Sequence, residues 1–198
     1  MASSWERLAT VTLGSANSNI TTGTITAKKH LHIVAHLLKT GSGTEVTMQY
    51  NNDTGTNYVR RRSGNGGSDG SADTSVNRID LVGGEANPSY LWMDVLNIAT
   101  MEKYGHCEMA RVGTGASTVP DRTENINKWA NTSAQITEID LNSVSSTFAA
   151  GSTMTVWGTD DQASTPFYPY FSNGTIFEES DTGKHYMFDG TSTWNEMS

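Results

Sequence analysis

The chain of 198 residues carries 13 Lys and Arg against 21 Asp and Glu, a formal charge of −8, with a single cysteine. The acidic balance argues against whole-protein attraction to nucleic acid, which rests on cationic neutralisation of phosphates. One cysteine excludes an intrachain disulfide and a Cys-based zinc site. Ser, Thr and Asn make up about a third of the residues, with 19 Gly and only 17% charged. Such a composition suits many short strands joined by turns, not a highly charged disordered chain. The start, MASSWERLATVTLG, has no apolar signal region, and no apolar stretch is long enough to span a bilayer, so no membrane is expected.

Alternating or β-branched runs separated by turn residues predict strands at 5–14, 19–26, 30–39, 45–50 and 57–62. Further ones are predicted at 77–82, 90–99, 104–112, 135–142 and 153–158. Residues 121–129, DRTENINKW after Pro120, predict the one short helix or turn. The run SGNGGSDGSADTS at 63–75 predicts an exposed mobile loop, and GTGASTVP at 113–120 a shorter one. About ten strands predict an all-β, two-sheet sandwich of jelly-roll-like type. At Thr159 the character changes. TDDQASTP reads as a linker, and FYPYF then sets Phe167, Tyr168, Tyr170 and Phe171 around Pro169. Left in water, those rings would form an adhesive patch, so they are expected to dock on the main domain or a neighbouring subunit. Turns at 181–183 and 189–190 cut the remainder into strands at 175–179, 184–188 and 193–197. A meander this small holds no core alone, and Phe177, Tyr186 and Trp194 are its candidate docking residues. The expected organisation is a sandwich over 1–158, a linker and docking segment over 159–172, and a C-terminal meander over 173–198.

Chemistry-bearing patterns are few. His30, His32 and His36 share one face of a predicted strand, as metal ligands or as the polar face of a half-buried strand. No fourth ligand is recognisable, and no metal is expected. Asp53, Asp69, Asp73 and the pair Asp160–Asp161 lack calcium-loop spacing. There is no G-x-S-x-G elbow and no phosphate-cradling glycine motif, and Glu178 and Glu179 point to opposite faces. No catalytic residue and no cofactor are therefore assigned. Tyr50, Tyr58, Trp92, Trp129, Trp157 and Trp194 either fill a core or stack on sugar rings. Arg60, Arg61 and Arg62 alternate between faces and form no single basic stripe, which leaves them solvated or in subunit contacts. Asn-x-Ser/Thr sequons stand at Asn19, Asn52, Asn131 and Asn173; in so Ser/Thr-rich a chain several arise by chance.

Two blocks carry a resemblance. KWANTSAQITEIDL…FAAGSTMTVWG, residues 128–158, resembles a recurrent module of virion proteins of tailed phages and related viruses. NGTIFEESDTGKHYMFDGTSTWNEM, residues 173–197, resembles a short C-terminal repeat of phage tail, fibre and capsid-associated proteins. Its matching residues are Gly174, Phe177, Asp181, Thr182, Gly183, Lys184, Tyr186, Gly190 and Trp194. The resemblance implies a non-enzymatic virion structural protein with a β-sandwich body, made in the host cytoplasm. Its partners would be copies of itself and other virion proteins. Capsid decoration or shell association, and a tail or fibre appendage, are the implied places. The rival reading is a carbohydrate-binding module for a host-surface glycan.

The charge balance and the split arginines lead to one prediction. In a low-salt filter-binding titration the protein should show no micromolar, steeply salt-dependent affinity for DNA.

Overall fold

The computed structural model describes residues 5–41, 45–82, 88–111, 115–160, 174–179, 183–189 and 193–197. Every regular element in it is a strand. In chain order these are β1 (Glu6–Thr12), β2 (Asn19–Thr21), β3 (His30–Leu37), β4 (Val46–Tyr50), β5 (Tyr58–Gly64) and β6 (Ser71–Val76). They continue as β7 (Ile79–Val82), β8 (Ser89–Leu96), β9 (Lys103–Arg111), β10 (Asp121–Trp129), β11 (Ile139–Ser143) and β12 (Thr153–Thr159). An eight-stranded antiparallel sheet runs β1-β12-β3-β8-β9-β10-β5-β6, and a four-stranded one runs β2-β11-β4-β7. The result is a β-sandwich, divided unequally rather than into two matched halves. Both sheets belong to one compact unit, Trp5–Asp160. The second unit holds a three-stranded sheet of β13 (Ile176–Glu179), β14 (Lys184–Phe188) and β15 (Trp194–Met197).

Alternation writes the core. In β3, Leu31, Ile33, Ala35 and Leu37 are buried, while His30, His32 and His36 point the other way. Leu91, Met93 and Val95 of β8 do the same beside them. From the smaller sheet Ile20, Met48, Ile139 and Leu141 close the interior. Each such side chain contributes about 1.5–3 kcal/mol when fully buried. Cys107 lies in this core, and burial, with Glu108 nearby, pushes its thiol far up from the usual range.

Polar side chains are also buried in the interior. Lys103 is 1% exposed, and its Nζ donates to the carbonyls of Ala99, Met101 and Asn131 at 3.3, 2.6 and 2.8 Å. Three donors meet three acceptors, which is how a buried ammonium is tolerated; burial still lowers its pKa. Arg60 on β5 pairs with Asp73 of β6 and reaches Asp80 of β7, at 3.0 Å to the carboxylate and 3.1 Å to the carbonyl. Arg60 is thus buried within its own chain rather than solvated, while Arg61 on the opposite face meets Asp69.

That polar interior corrects two expectations. Residues 121–129 are strand β10, not a helix or turn. Their inward positions are Thr123, Asn125, Asn127 and Trp129, so an alternating strand shows no hydrophobic period. Within 63–75, β5 runs on to Gly64 and β6 returns from Ser71, with Arg60 opposite Asp73. The open loop is confined to the few residues between them.

Passage from β10 to β11 takes the chain from one sheet to the other, and there asparagines replace the ladder. Asn131 Oδ1 accepts the N–H groups of Ser133 and Ala134 at 2.9 and 2.8 Å. Asn97, fully buried, donates to the carbonyls of Lys28 and Ile136 and accepts the Ile136 N–H at 2.7 Å. Asn51 accepts from Thr137 and Glu138 and donates to the Gln135 carbonyl. It stands in left-handed backbone (φ 52°) within the turn after β4, a conformation asparagine tolerates. Hence the strand expected over 135–142 begins only at Ile139. The return to β12 is similar. Phe148 is fully buried and exchanges backbone bonds with Asn17, and Ser152 Oγ both accepts from and donates to the Leu38 backbone.

Asn97→Ala would leave buried groups of Ile136 and Lys28 unpaired. Urea denaturation should show a loss of about 3 kcal/mol. Gln135→Ala removes only a donor to the Asn97 carbonyl and should cost about 1 kcal/mol.

Candidate functional site

A cluster of aromatic and ionisable side chains lies on the outer face of the eight-stranded sheet. Strand register aligns Trp157, His32, Asp94, His106 and Ile126 in one row across β12, β3, β8, β9 and β10. His32 Nδ1 lies 2.7 Å from Asp94 Oδ1. Its ring packs edge-on against Trp5 (centroids 6.1 Å) and tilts against Trp157 (6.0 Å). His106 Nε2 is 3.4 Å from Glu124. In the next row Tyr104 donates to Glu102 at 3.2 Å, and Glu102 pairs with Lys128 at 2.8 Å.

These side chains bound an open trough of about 440 Å³, lined by Trp5, Asp94, Leu96, Tyr104, His106 and Ile126. Trp5 and Tyr104 are 50% and 47% exposed. Gly105 holds the trough against the core. A Cβ there would come 2.3 Å from Met93 and 2.6 Å from Asn127, so β9 lies close to the interior between Tyr104 and His106. Neither His32 nor His106 hydrogen-bonds a Ser, Thr or Cys among the described residues. The arrangement offers aromatic faces, a carboxylate and imidazoles, suited to recognition.

The residues singled out from the sequence distribute unevenly. His30, His32 and His36 do share one face, but no group of three metal-ligating side chains occurs among the described residues. Asp53, Asp69, Asp73 and Asp160 lie apart, bonded to Trp129, Arg61, Arg60 and Lys28 respectively; Asp161 falls outside the described residues. Tyr50, Tyr58 and Trp129 are core, with ring centroids 5.9–6.5 Å apart, so they face no sugar. Trp92 and Trp157 are half-buried on the outer face. Phe167, Tyr168, Tyr170 and Phe171 lie outside the described residues. Phe177, Tyr186 and Trp194 sit together on the three-stranded sheet, with Phe177 6.4 Å from Tyr186 and 6.0 Å from Trp194. Trp5, Asp94, Tyr104 and Ile126 were not anticipated, and His106 reads from the sequence as a lone structural histidine on a strand. The alternation of KYGHCEMAR carries the signal for Tyr104 and His106, which share a face opposite Lys103 and Cys107. Nothing local brings Asp94 beside His32.

Two carboxyls respond oppositely to the fold. Burial pushes Asp53 up, but hydrogen bonds from Trp129, Asn57 and Gly55 outweigh it and hold the group below its usual range. Burial raises Asp140, offset only in part by Thr21 and Asn19. A depressed carboxyl stabilises the fold above its unfolded pKa, and that stability is lost as pH falls through the folded pKa. Asp53→Asn should therefore lower Tm at pH 7, and the gap to wild type should narrow as pH falls below about 4; melting across pH 3–7 measures it. Compared with known proteins, no family model matches the chain, and no curated protein or solved structure matches it significantly.

Proposed function

We propose that this chain is a non-enzymatic structural component of a virus particle that assembles with copies of itself. Its place would be exterior, as a capsid decoration or shell-associated protein or as an appendage. The observation that carries the assembly reading is the three-stranded sheet, which exposes apolar side chains on both faces. Ile176 and Met187 pair on one face and are 58% and 43% exposed. Phe177, 53% exposed, lies on the other. A sheet of this size is marginal in water without a surface to cover it. Burying each large apolar side chain is worth about 1.5–3 kcal/mol, enough for several together to exceed the cost of ordering the segment. The virion assignment is supported by the NTSAQIT and FAAGS blocks and by the C-terminal repeat. The two sandwich blocks map onto sheet-crossing segments, so they support a shared architecture rather than a shared chemistry.

A second reading, a carbohydrate-binding module that recognises a host surface, is favoured by the aromatic trough. It is compatible with the first, because a particle protein can carry a receptor site on its body.

Truncation after Gln162, followed by light scattering and thermal melting, tests the assembly reading. The expected result is loss of the oligomer with the sandwich's melting transition intact. A truncated chain that unfolds, or that assembles as before, would overturn it.

A further inference from the structure

We propose that the trough bounded by Trp5, Tyr104 and Ile126 binds an uncharged pyranose ring of a surface glycan, with Asp94 and His106 engaging its hydroxyls. The inference rests on the receptor reading and not on the assembly reading.

A pyranose presents an apolar C–H face and a rim of hydroxyls, and the trough offers a counterpart to each. The exposed rings of Trp5 and Tyr104 can take the C–H face, as large amphipathic rings do at wet interfaces. Asp94 keeps 66% of its side chain exposed even with one oxygen bonded to His32, so its carboxylate retains capacity to accept from hydroxyls. The bond from His32, itself packed against Trp5 and Trp157, fixes that carboxylate in direction before any ligand arrives. His106, 48% exposed, supplies a ring nitrogen beside it. The volume of about 440 Å³ falls within the roughly 300–1,000 Å³ of small-molecule sites. The openness of the trough lets a longer oligosaccharide run past the bound unit.

Charge selects against an acidic sugar. Beside the lining residues, Glu108 and Glu124 lie 3.9 and 3.4 Å from His106, Glu102 accepts from Tyr104 and is paired with Lys128, and the whole chain stands at −8. The same carboxylates disfavour a second copy of the chain as occupant. A stable protein interface needs about 800 Å² per partner with a core depleted of charge, whereas here the apolar surface is interrupted by charged side chains on neighbouring strands.

The full chain should be applied to an array of neutral and acidic bacterial surface oligosaccharides, and the neutral hits followed by saturation-transfer NMR and tryptophan fluorescence. Binding should be confined to neutral glycans. Trp5→Ala and Asp94→Asn should each weaken it about tenfold or more while leaving the melting temperature and the oligomer unchanged. Tyr104→Ala gives an independent check on the opposite wall. If neutral glycans bind equally well to all three variants, the trough assignment falls and the receptor reading survives. If only acidic glycans bind, the selectivity argument is overturned. If no glycan binds, both the site and the receptor reading fail. If Trp5→Ala instead dissociates the oligomer, the face is a self-contact and the proposal is wrong.

Discussion

Where a chain leaves one sheet of a sandwich for the other, its backbone N–H and C=O groups enter the interior with no neighbouring strand to pair them. Each group left unpaired there would cost about 1–3 kcal/mol. Here the problem is solved by side chains that imitate backbone. Asn51 and Asn97 both donate to and accept from the segment between β10 and β11, and Asn131 accepts two of its N–H groups. Ser152 does the same for Leu38 on the return. Beside those crossings, Trp129 is held over Lys103 at 5.9 Å and bonded to Asp53 at 2.7 Å.

The polar part of the interior follows from the same economy of aliphatic residues. A sandwich whose inward positions include Thr123, Asn125, Asn127, Arg60 and Lys103 cannot rely on hydrophobic burial throughout. Its cohesion there comes from directed bonds: Asn125 to the Asp80 carbonyl, Asn127 to Asn125, and Arg60 to two carboxylates on different strands. Directed bonds hold only one register, whereas apolar contacts tolerate sliding. Arg60 therefore ties β5 to both β6 and β7.

What the sequence made legible tracks this division. Strands with aliphatic inward faces, such as β3 and β8, were read within a few residues, because HLHIVAHL and SYLWMDVL alternate visibly. The all-β class and the three C-terminal strands were legible through turn chemistry. β10 was not, since its inward asparagines and threonine read as polar and its one outward Ile126 inverts the pattern. Residues 135–138 looked like strand because QIT is β-prone, yet their hydrogen bonds go to asparagines more than thirty residues away in sequence. The trough was hidden for a related reason. Its walls come from β3, β8, β9 and β10 and from Trp5 just ahead of β1, and only the fold brings Trp5, Asp94 and Tyr104 to one place.

The solitary thiol has a practical corollary. Cys107 is 1% exposed in the middle of β9, flanked on either side by β8 and β10, and no second cysteine exists anywhere in the chain. Air oxidation therefore has no accessible thiol to act on and cannot join two copies of this chain through sulfur. A cysteine engineered onto the surface would be the sole accessible thiol, so a dye, a peptide or a metal cluster could be attached at a chosen position with no prior removal of a native residue.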